Sequence, residues 1–162
     1  MAGKVKGAKH FAEVFNRKAL HRYAIVEELE AGIELRGTEI KAVREGRAQI
    51  SEAFVRINHN GRPQLFNAHI EAYSHGSDAN HPANRVRNLL LHRREICKLR
   101  TEAEKDGMAI IPLRLHMKRG LLKVDIALCR GKNLRDKREE LRRTTALREA
   151  QREMSERYVS QK

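Results

Sequence analysis

The sequence predicts a mainly β protein: an antiparallel barrel with one central helix, short flanking helices and a basic C-terminal tail. Two observations predict the strands. Apolar residues alternate with polar ones in several short runs, and glycine turns at Asn60-Gly61 and Gly120 join two pairs of these runs as hairpins. One run, 89–105, has the apolar spacing of a helix. The residues alone also allow a β-sandwich with a similar number of strands.

The predicted elements begin at position 23. Strands are predicted at 23–29, 50–57, 64–70, 108–117 and 121–129. Between the first two, the pair 31–32 predicts a turn, Ile33 and Leu35 predict a short extended segment, and Thr38 is a candidate helix cap. The β-branched and aromatic residues of these runs favour strands because such side chains pack well on a pleated surface.

Composition divides the chain into three parts. Residues 1–22 form a basic arm with a short helix that docks on the domain, residues 23–130 form the barrel, and residues 131–162 form a basic tail. The tail has too few large apolar residues to bury a core, although one narrow apolar stripe has helical spacing. We therefore expect a tail that is disordered when free and becomes helical against a polyanionic surface.

The charge of the chain indicates its partner. It has 34 lysine and arginine residues against 21 aspartate and glutamate residues, which gives a formal net charge of +13. Such an excess of positive charge favours a polyanionic partner, above all nucleic acid. With few aromatic residues and no tryptophan, the sequence favours a grip on folded RNA over stacking with single-stranded bases.

The sequence also predicts the compartment. No apolar run approaches the roughly 20 residues that span a bilayer, and the N-terminus lacks the apolar core of a secretion signal. We therefore expect a cytoplasmic protein with no membrane partner. Cys97 and Cys129 have no CxxC spacing, so we expect both to stay reduced, in neither a disulfide nor a metal site.

Catalytic patterns are weak in this sequence. Glu27, Glu28 and Glu30 are the densest acids, but alternation along a strand separates Glu27 from the other two. No phosphate-binding loop, HExxH helix or Ser-His-Asp arrangement is visible. We predict no enzyme activity, no metal and no cofactor. Glu30 has two interpretations: a solvated strand residue, or a carboxylate that accepts hydrogen bonds from an RNA base.

Three segments carry a resemblance to a known family. They are EAGIELRGTEIKAVREGRAQI at 30–50, RVRNLLLHRREI at 85–96 and GKNLRDKREE at 131–140. In this order and at this chain length they resemble the small protein B family, the SsrA-binding proteins that are partners of transfer-messenger RNA. The resemblance implies a closed barrel like the oligonucleotide/oligosaccharide-binding (OB) fold.

The resemblance also implies a function in trans-translation. A member of this family binds the tRNA-like domain of transfer-messenger RNA and delivers it to ribosomes stalled without an intact codon in the acceptor site, so that the nascent peptide is tagged for degradation. The family's tail enters the empty messenger channel near the small-subunit decoding centre. Elongation factor Tu and alanyl-tRNA synthetase act on the same RNA, so we expect a functional association with both.

Carried over residue by residue, the resemblance predicts two groups of contacts. The predicted contacts with the tRNA-like domain are Asn16, His21, Glu30, Arg85, Arg87 and Leu90. The predicted contacts with the ribosome are Lys132, Arg135, Asp136, Lys137, Arg138, Met154 and Tyr158. The segment HPANRVRNLLL departs from the family's DPxRxRKLLL pattern. Arg135 stands where family members often have histidine or an aromatic residue, and a guanidinium plane can also stack on a base.

Another class of function stays open. A general basic RNA chaperone or a structural protein of the ribosome would also bind RNA through positive charge, and an RNA-processing nuclease is a more distant alternative. The alternatives differ at Glu30. A specific binder should need this carboxylate, whereas a binder driven by charge should bind as well or better without it.

Overall fold

The structure, a computed structural model, describes residues 13–76, 80–133, 142–152 and 154. The strands are β1 Val14–Phe15, β2 Tyr23–Ile33, β3 Ala48–Gln49, β4 Phe54–Ile57, β5 Pro63–Phe66, β6 His69–Ile70, β7 Arg87–Leu90, β8 Met108–Lys118 and β9 Leu121–Gly131. The helices are α1 Arg17–Arg22, α2 Gly37–Arg44, α3 Arg93–Ala103 and α4 142–152. Within the described ranges, no helix is long and apolar enough to cross a membrane.

The strands close into a barrel. Six of them form a ring in the order β8-β4-β5-β7-β2-β9, in which every neighbouring pair is antiparallel and the β8–β9 hairpin closes the ring. β1 adds to the edge of β8, and β3 pairs with β6 in a separate two-stranded sheet. The predicted antiparallel barrel is therefore confirmed.

The interior of the ring holds the main apolar core. Leu115 and Val124 are 1 % and 0 % exposed, and α3 adds its buried Leu99 to the same cluster. A smaller apolar cluster lies beneath α1 and includes Cys129. Burial raises the pKa of the Cys129 thiol to about 11, so the group stays protonated at neutral pH. Cys97 is exposed, and both cysteines are free thiols.

Both predicted hairpins form. β4 and β5 are joined through Gly61, whose φ is +73°, and β8 and β9 are joined through Arg119 and Gly120, whose φ angles are +51° and +79°. A glycine adopts positive φ without the steric penalty that a side chain brings. The glycines that the sequence analysis assigned to these turns are therefore in the conformation that the turns require.

The predicted turn at 31–32 is wrong. β2 runs without a break to Ile33, and Gly32 lies opposite both Leu90 of β7 and Lys123 of β9. A Cβ atom at Gly32 would lie 3.1 Å from the Cβ of Leu90, so the missing side chain lets the two strands approach. This glycine marks close packing between strands and not a turn.

The predicted central helix also begins later than expected. Its apolar spacing started at Leu89, but Arg87–Leu90 pair with neighbouring strands as β7, and α3 begins at Arg93. Glu95 fixes this start, because its Oε2 accepts a hydrogen bond from the His92 N–H at 2.8 Å. The boundary shifts because pairing with β2 and β5 outweighs a local helical pattern.

Part of the tail is helical in this structure. Residues 142–152 form α4, and all of them are exposed. A helix of this length is marginal in water without packing against another surface, because the first turn is costly to nucleate. The disorder of the free tail and the domain boundaries at 22 and 130 stay predictions.

Candidate nucleic-acid interface

Four neighbouring strands bring one row of residues together. Leu90, Gly32, Lys123 and His116 lie opposite one another on β7, β2, β9 and β8. Leu90 at one end of the row is 63 % exposed, whereas His116 at the other end is 8 % exposed. Strand pairing therefore brings together residues that lie far apart in the sequence.

A second row lies two residues along the same strands. Glu30 is opposite Asp125, and Asp125 is opposite Arg114. Because residues two apart on a strand share a face, the two rows form one surface. We call it the Glu30 surface, and its side chains are those of Glu30, Leu90, Arg114, His116, Lys118, Lys123 and Asp125.

Glu30 is a fixed anion within this surface. Its Oε2 accepts a hydrogen bond from Lys118 Nζ at 2.7 Å, and His116 Nε2 lies 3.8 Å from the same oxygen. The Lys118 hydrogen bond, only partly opposed by burial, and the charges of Lys118, His116 and Lys123 hold the pKa of Glu30 below its ordinary value. Among the described residues, Oε1 has no hydrogen-bond partner. One oxygen of a charged carboxylate is therefore open to a ligand.

His116 links Glu30 to Asp125, because its Nε2 lies near a carboxylate oxygen of each. Asp125 Oδ1 lies 3.0 Å from His116 Nε2, while Arg114 Nε donates a hydrogen bond to Oδ2. This hydrogen bond and the charge of Asp125 raise the pKa of Arg114. The ligand atoms of Glu30, His116 and Asp125 lie within 4.8 Å of one another, as in a metal site. Since cationic side chains already pair with both carboxylates, the arrangement favours a hydrogen-bonded network over a metal centre.

An apolar groove of about 300 Å³ borders the Glu30 surface. Leu90 and Leu121, 63 % and 64 % exposed, line it together with the basic side chains of Arg44 and Lys123. Exposed leucines beside cations suit the sugar and base faces of RNA with phosphates nearby. Leu90, a predicted RNA contact, is therefore exposed, whereas its neighbour Leu89 is buried. The contact of Leu90 with RNA stays a prediction.

Two predicted RNA contacts, Arg85 and Arg87, are bound to a buried acid instead. Glu39 of α2 is 5 % exposed; its Oε1 accepts from Arg87 Nε at 3.0 Å and its Oε2 from Arg85 Nη2 at 2.5 Å. Arg87 is 0 % exposed and also donates to the carbonyls of Ala68 and Ala83. The Arg87 side chain is therefore enclosed by the protein in this structure, and its RNA contact stays a prediction. Arg85 is partly exposed, and its contact stays a prediction.

Asn16 is also enclosed by the protein. It is 3 % exposed, its Nδ2 donates to the carbonyls of Ile50 and Pro112 at 3.1 and 3.0 Å, and its Oδ1 caps α1 by accepting from the Ala19 N–H. The Asn16 side chain therefore has its hydrogen-bond partners within the protein, and its RNA contact stays a prediction. His21, in the last turn of α1, is exposed, and its contact stays a prediction.

Most of the predicted ribosome contacts lie outside the described residues. These are Arg135, Asp136, Lys137, Arg138 and Tyr158. Lys132 is described: its N–H donates to the carbonyl of Arg22 at 3.0 Å and its Nζ to the carbonyl of Leu20 at 2.9 Å. These bonds fasten the start of the tail to α1. Met154 is 74 % exposed.

Most of the side chains around Glu30 were not predicted from the sequence as site residues. Polar residues recur at every second position over 114–118 and again at 123–125, and this period predicts an outward face on the β8–β9 hairpin. That signal was present and identifies these side chains as exposed. It does not show which strand lies beside β9, because register across strands depends on residues distant in sequence.

Comparison with known proteins identifies the family. A family model described as "SmpB protein" matches residues 13–156. The chain belongs to the SmpB family. It is 48 % identical over 151 residues to the SsrA-binding protein of Streptomyces avermitilis, covering 93 % of this chain and 85 % of that one. It is 43 % identical over 142 residues to the SsrA-binding protein of Pelotomaculum thermopropionicum, covering 88 % of this chain and 92 % of that one.

The fold of a solved SmpB-family structure is also similar. That structure is described as "tmRNA-SmpB: a journey to the center of the bacterial ribosome", and the two chains align with a TM-score of 0.65 and 39 % identity. The alignment covers 81 % of this chain and 95 % of the other. The resemblance carried by the three sequence segments is therefore confirmed as membership of the SmpB family.

Proposed function

We propose that this chain binds the tRNA-like domain of transfer-messenger RNA through the Glu30 surface and delivers that RNA to stalled ribosomes for trans-translation. The observation that carries the proposal is a charged carboxylate with one open oxygen on a largely basic surface. The relatives of this chain are SsrA-binding proteins, and a similar solved chain is described with transfer-messenger RNA and the bacterial ribosome.

Attraction and selectivity come from different groups in this proposal. The net charge of +13, with Lys118 and Lys123 on the surface, draws RNA phosphates of any sequence. Glu30 repels phosphate, but its free Oε1 accepts from a base amino group or a guanine edge. It therefore stabilises a complex only where a folded RNA presents such an edge. Leu90 and Leu121 beside it would pack on the same RNA.

The tail is proposed to act on the ribosome. Lys132 fixes its start on α1, so the chain beyond leaves the barrel from a defined point. The proposed contacts in the empty messenger channel are Arg135, Asp136, Lys137, Arg138, Met154 and Tyr158. Coupled folding in that channel suits a segment with many cations and few large apolar side chains. Elongation factor Tu and alanyl-tRNA synthetase would associate through the shared RNA.

We also propose that the protein acts by binding, without catalysis and without a cofactor, in the cytoplasm. The carboxylates on the Glu30 surface support this, because each is held in a hydrogen bond with a cationic side chain, Lys118 for Glu30 and Arg114 for Asp125. The second candidate function is a general RNA chaperone, and the large excess of positive charge favours it.

A competition experiment separates the two candidates. Labelled transfer-messenger RNA is titrated with the full chain at physiological salt in the presence of bulk tRNA, and we expect the chain to bind the labelled RNA selectively. Equal binding to both RNAs would favour the chaperone. In a reconstituted translation system, the chain should also be required for tagging of a peptide stalled on a truncated message. Tagging without the chain would refute the delivery role.

A further inference from the structure

A second concave surface lies at the opposite end of β2 from Glu30. It is an open groove of about 580 Å³ between β4, α3 and the first part of β8. Its lining includes Tyr23, Phe54, Arg56, Arg100 and Met108. None of these residues belongs to the Glu30 surface, so the proposed recognition of transfer-messenger RNA leaves this groove unused.

The groove exists because the barrel opens at this seam. β4 and β8 pair at Val55 and Ile110, whereas β8 and β9 pair along almost their whole length. β4 and β8 therefore separate beyond this one pair of residues. α3 packs against β8 and β9, and the end of the helix that carries Arg100 forms the facing wall.

One wall of the groove consists of flat side chains, of which Phe54 and Arg56 belong to β4. The rings of Phe54 and Phe66 are stacked, with centroids 5.4 Å apart and an angle of 8° between their planes. Arg56 Cζ lies 5.1 Å from the centroid of the Phe54 ring. Tyr23 adds a half-buried ring to the lining. Aromatic rings and guanidinium planes are the groups on which unpaired RNA bases stack.

The rim of the groove is positively charged. Arg56 and Arg100 are exposed, and the only acid in the lining, among the residues that the structure describes, is Glu104. Arg100 Nε lies 3.5 Å from Glu104 Oε1, and an exposed pair at this distance holds its partners weakly. Arg100 is therefore able to turn to a phosphate. A basic rim over stacking planes fits a nucleotide better than it fits an apolar peptide.

Position indicates which RNA the groove would meet. Tyr23 and Glu30 are seven residues apart on β2, which is about 23 Å at roughly 3.3 Å per residue. Tyr23 lies opposite Gly131, the last residue of β9, so the groove adjoins the start of the tail. RNA bound in the groove would therefore be on the side from which the tail leaves, away from the Glu30 surface.

We propose that this groove holds an unpaired nucleotide of ribosomal RNA, an inference that rests on the proposed function in ribosome rescue. The base stacks on the exposed guanidinium of Arg56, which itself packs on Phe54, with Tyr23 lining the groove beside it. Arg100 pairs with the adjoining phosphate. The barrel thereby makes its own contact with the ribosome, independent of the tail. This site is an exception to the expectation that the chain grips RNA without stacking on bases.

The test uses a double variant, Arg56→Ala with Arg100→Ala, in the full chain. Arg94→Ala is the matched control, because Arg94 is an exposed arginine of the same helix outside the groove lining. Each protein is first bound to transfer-messenger RNA, and the affinity of the complex for ribosomes carrying a truncated message is then measured. The double variant should weaken ribosome binding by about tenfold, as expected for a lost stacking contact, with unchanged affinity for transfer-messenger RNA. Arg94→Ala should change neither.

Two results would overturn the proposal. One is unchanged ribosome affinity in the double variant; the other is an equal loss of affinity for transfer-messenger RNA, which would assign the groove to that RNA. Since Arg56 packs on Phe54, Arg100→Glu serves as a second variant that leaves the stack intact and should also weaken ribosome binding. Thermal unfolding checks the fold of each protein. Failure of the proposed function would be seen separately, as absence of transfer-messenger RNA binding by the wild type.

Discussion

At the scale of single residues, the place of an arginine in the fold decides whether it pairs with a buried acid or is exposed to a ligand. Arg85 and Arg87 both belong to a segment that resembles an RNA-binding motif, yet β7 directs Arg87 into the core. Its partner Glu39 is 48 residues away in the sequence. The sequence shows that these charges exist, but it does not show which acid meets which arginine, because that depends on packing of α2 against the barrel. For this reason the sequence did not predict that the Arg87 side chain would be buried against Glu39.

The Glu39 pair gives a stability prediction. Glu39→Gln keeps the size of the side chain but leaves the buried guanidinium of Arg87 without a counter-ion. We expect the free energy of unfolding at pH 7 to fall by about 3–5 kcal/mol, the usual cost of breaking a buried ion pair from one side. Urea unfolding followed by circular dichroism measures it. Glu71→Gln, at an exposed glutamate, is the control, and an equal loss in both variants would contradict the account.

The same pair gives a pH dependence. Burial alone would raise the pKa of Glu39, but hydrogen bonds from Arg85 and the Arg36 N–H, with the charges of Arg87 and Arg85, hold it below the ordinary 4.5. A carboxyl with a lowered pKa adds stability that is complete above its ordinary pKa and is lost as the pH falls through its folded value. Wild-type stability should therefore fall more steeply below pH 4.5 than that of Glu39→Gln. Parallel pH profiles of the two proteins would refute this.

At the scale of secondary-structure elements, β2 shows which features of the site follow from the local sequence and which require pairing with distant strands. The two-residue period correctly places Glu28 and Glu30 on one face, because alternation is a property of the strand itself. The Lys118 that fixes Glu30 is 88 residues away, and only strand pairing brings it there. Gly32 was misassigned because a glycine required for close packing has the same sequence signal as a glycine required for a turn.

Helix α1 provides the next prediction. Asn16→Ala removes the α1 cap and leaves the carbonyls of Ile50 and Pro112 without their buried donor. We expect a loss of about 2–4 kcal/mol in the free energy of unfolding, from a lost cap and two unsatisfied acceptors. Any loss of RNA affinity should follow the loss of folded protein. Asn60→Ala, in the β4–β5 turn, should have little effect; weak RNA binding by a fully stable Asn16→Ala protein would show that Asn16 contacts RNA after all.

At the scale of the whole molecule, the sequence predicts more of the fold than of the site. Alternating runs and glycine turns are local signals, so most of the long strands and both hairpins were predictable from the residues, whereas the closed barrel was implied by the family resemblance. Closing the ring and assembling the Glu30 surface need register between strands distant in the sequence, and no local pattern encodes that. The result is a molecule with separate proposed faces for two RNAs, one at each end of β2.

This division of labour predicts the effect of removing the tail. Truncation after Asn133 keeps β9 and the bonds between Lys132 and α1. Because the Glu30 surface lies wholly on the barrel, affinity for transfer-messenger RNA at physiological salt should be largely retained. Tagging of stalled peptides should be abolished, because the proposed contacts with the messenger channel are gone. A truncated protein that no longer binds the RNA would refute the separation of the two roles.

The most direct test of the central claim is the affinity of Glu30→Ala for transfer-messenger RNA, measured at physiological salt against a bulk tRNA competitor. Glu28→Ala, on the same strand face and two residues away, removes the same charge and the same kind of acceptor without touching the proposed contact. If Glu30 accepts a hydrogen bond from a base, its substitution should weaken selective binding by about tenfold, the loss of roughly 1–3 kcal/mol expected for a base-edge contact. Glu28→Ala should leave that binding intact. Equal or tighter binding by Glu30→Ala would contradict specific recognition and favour attraction by charge alone.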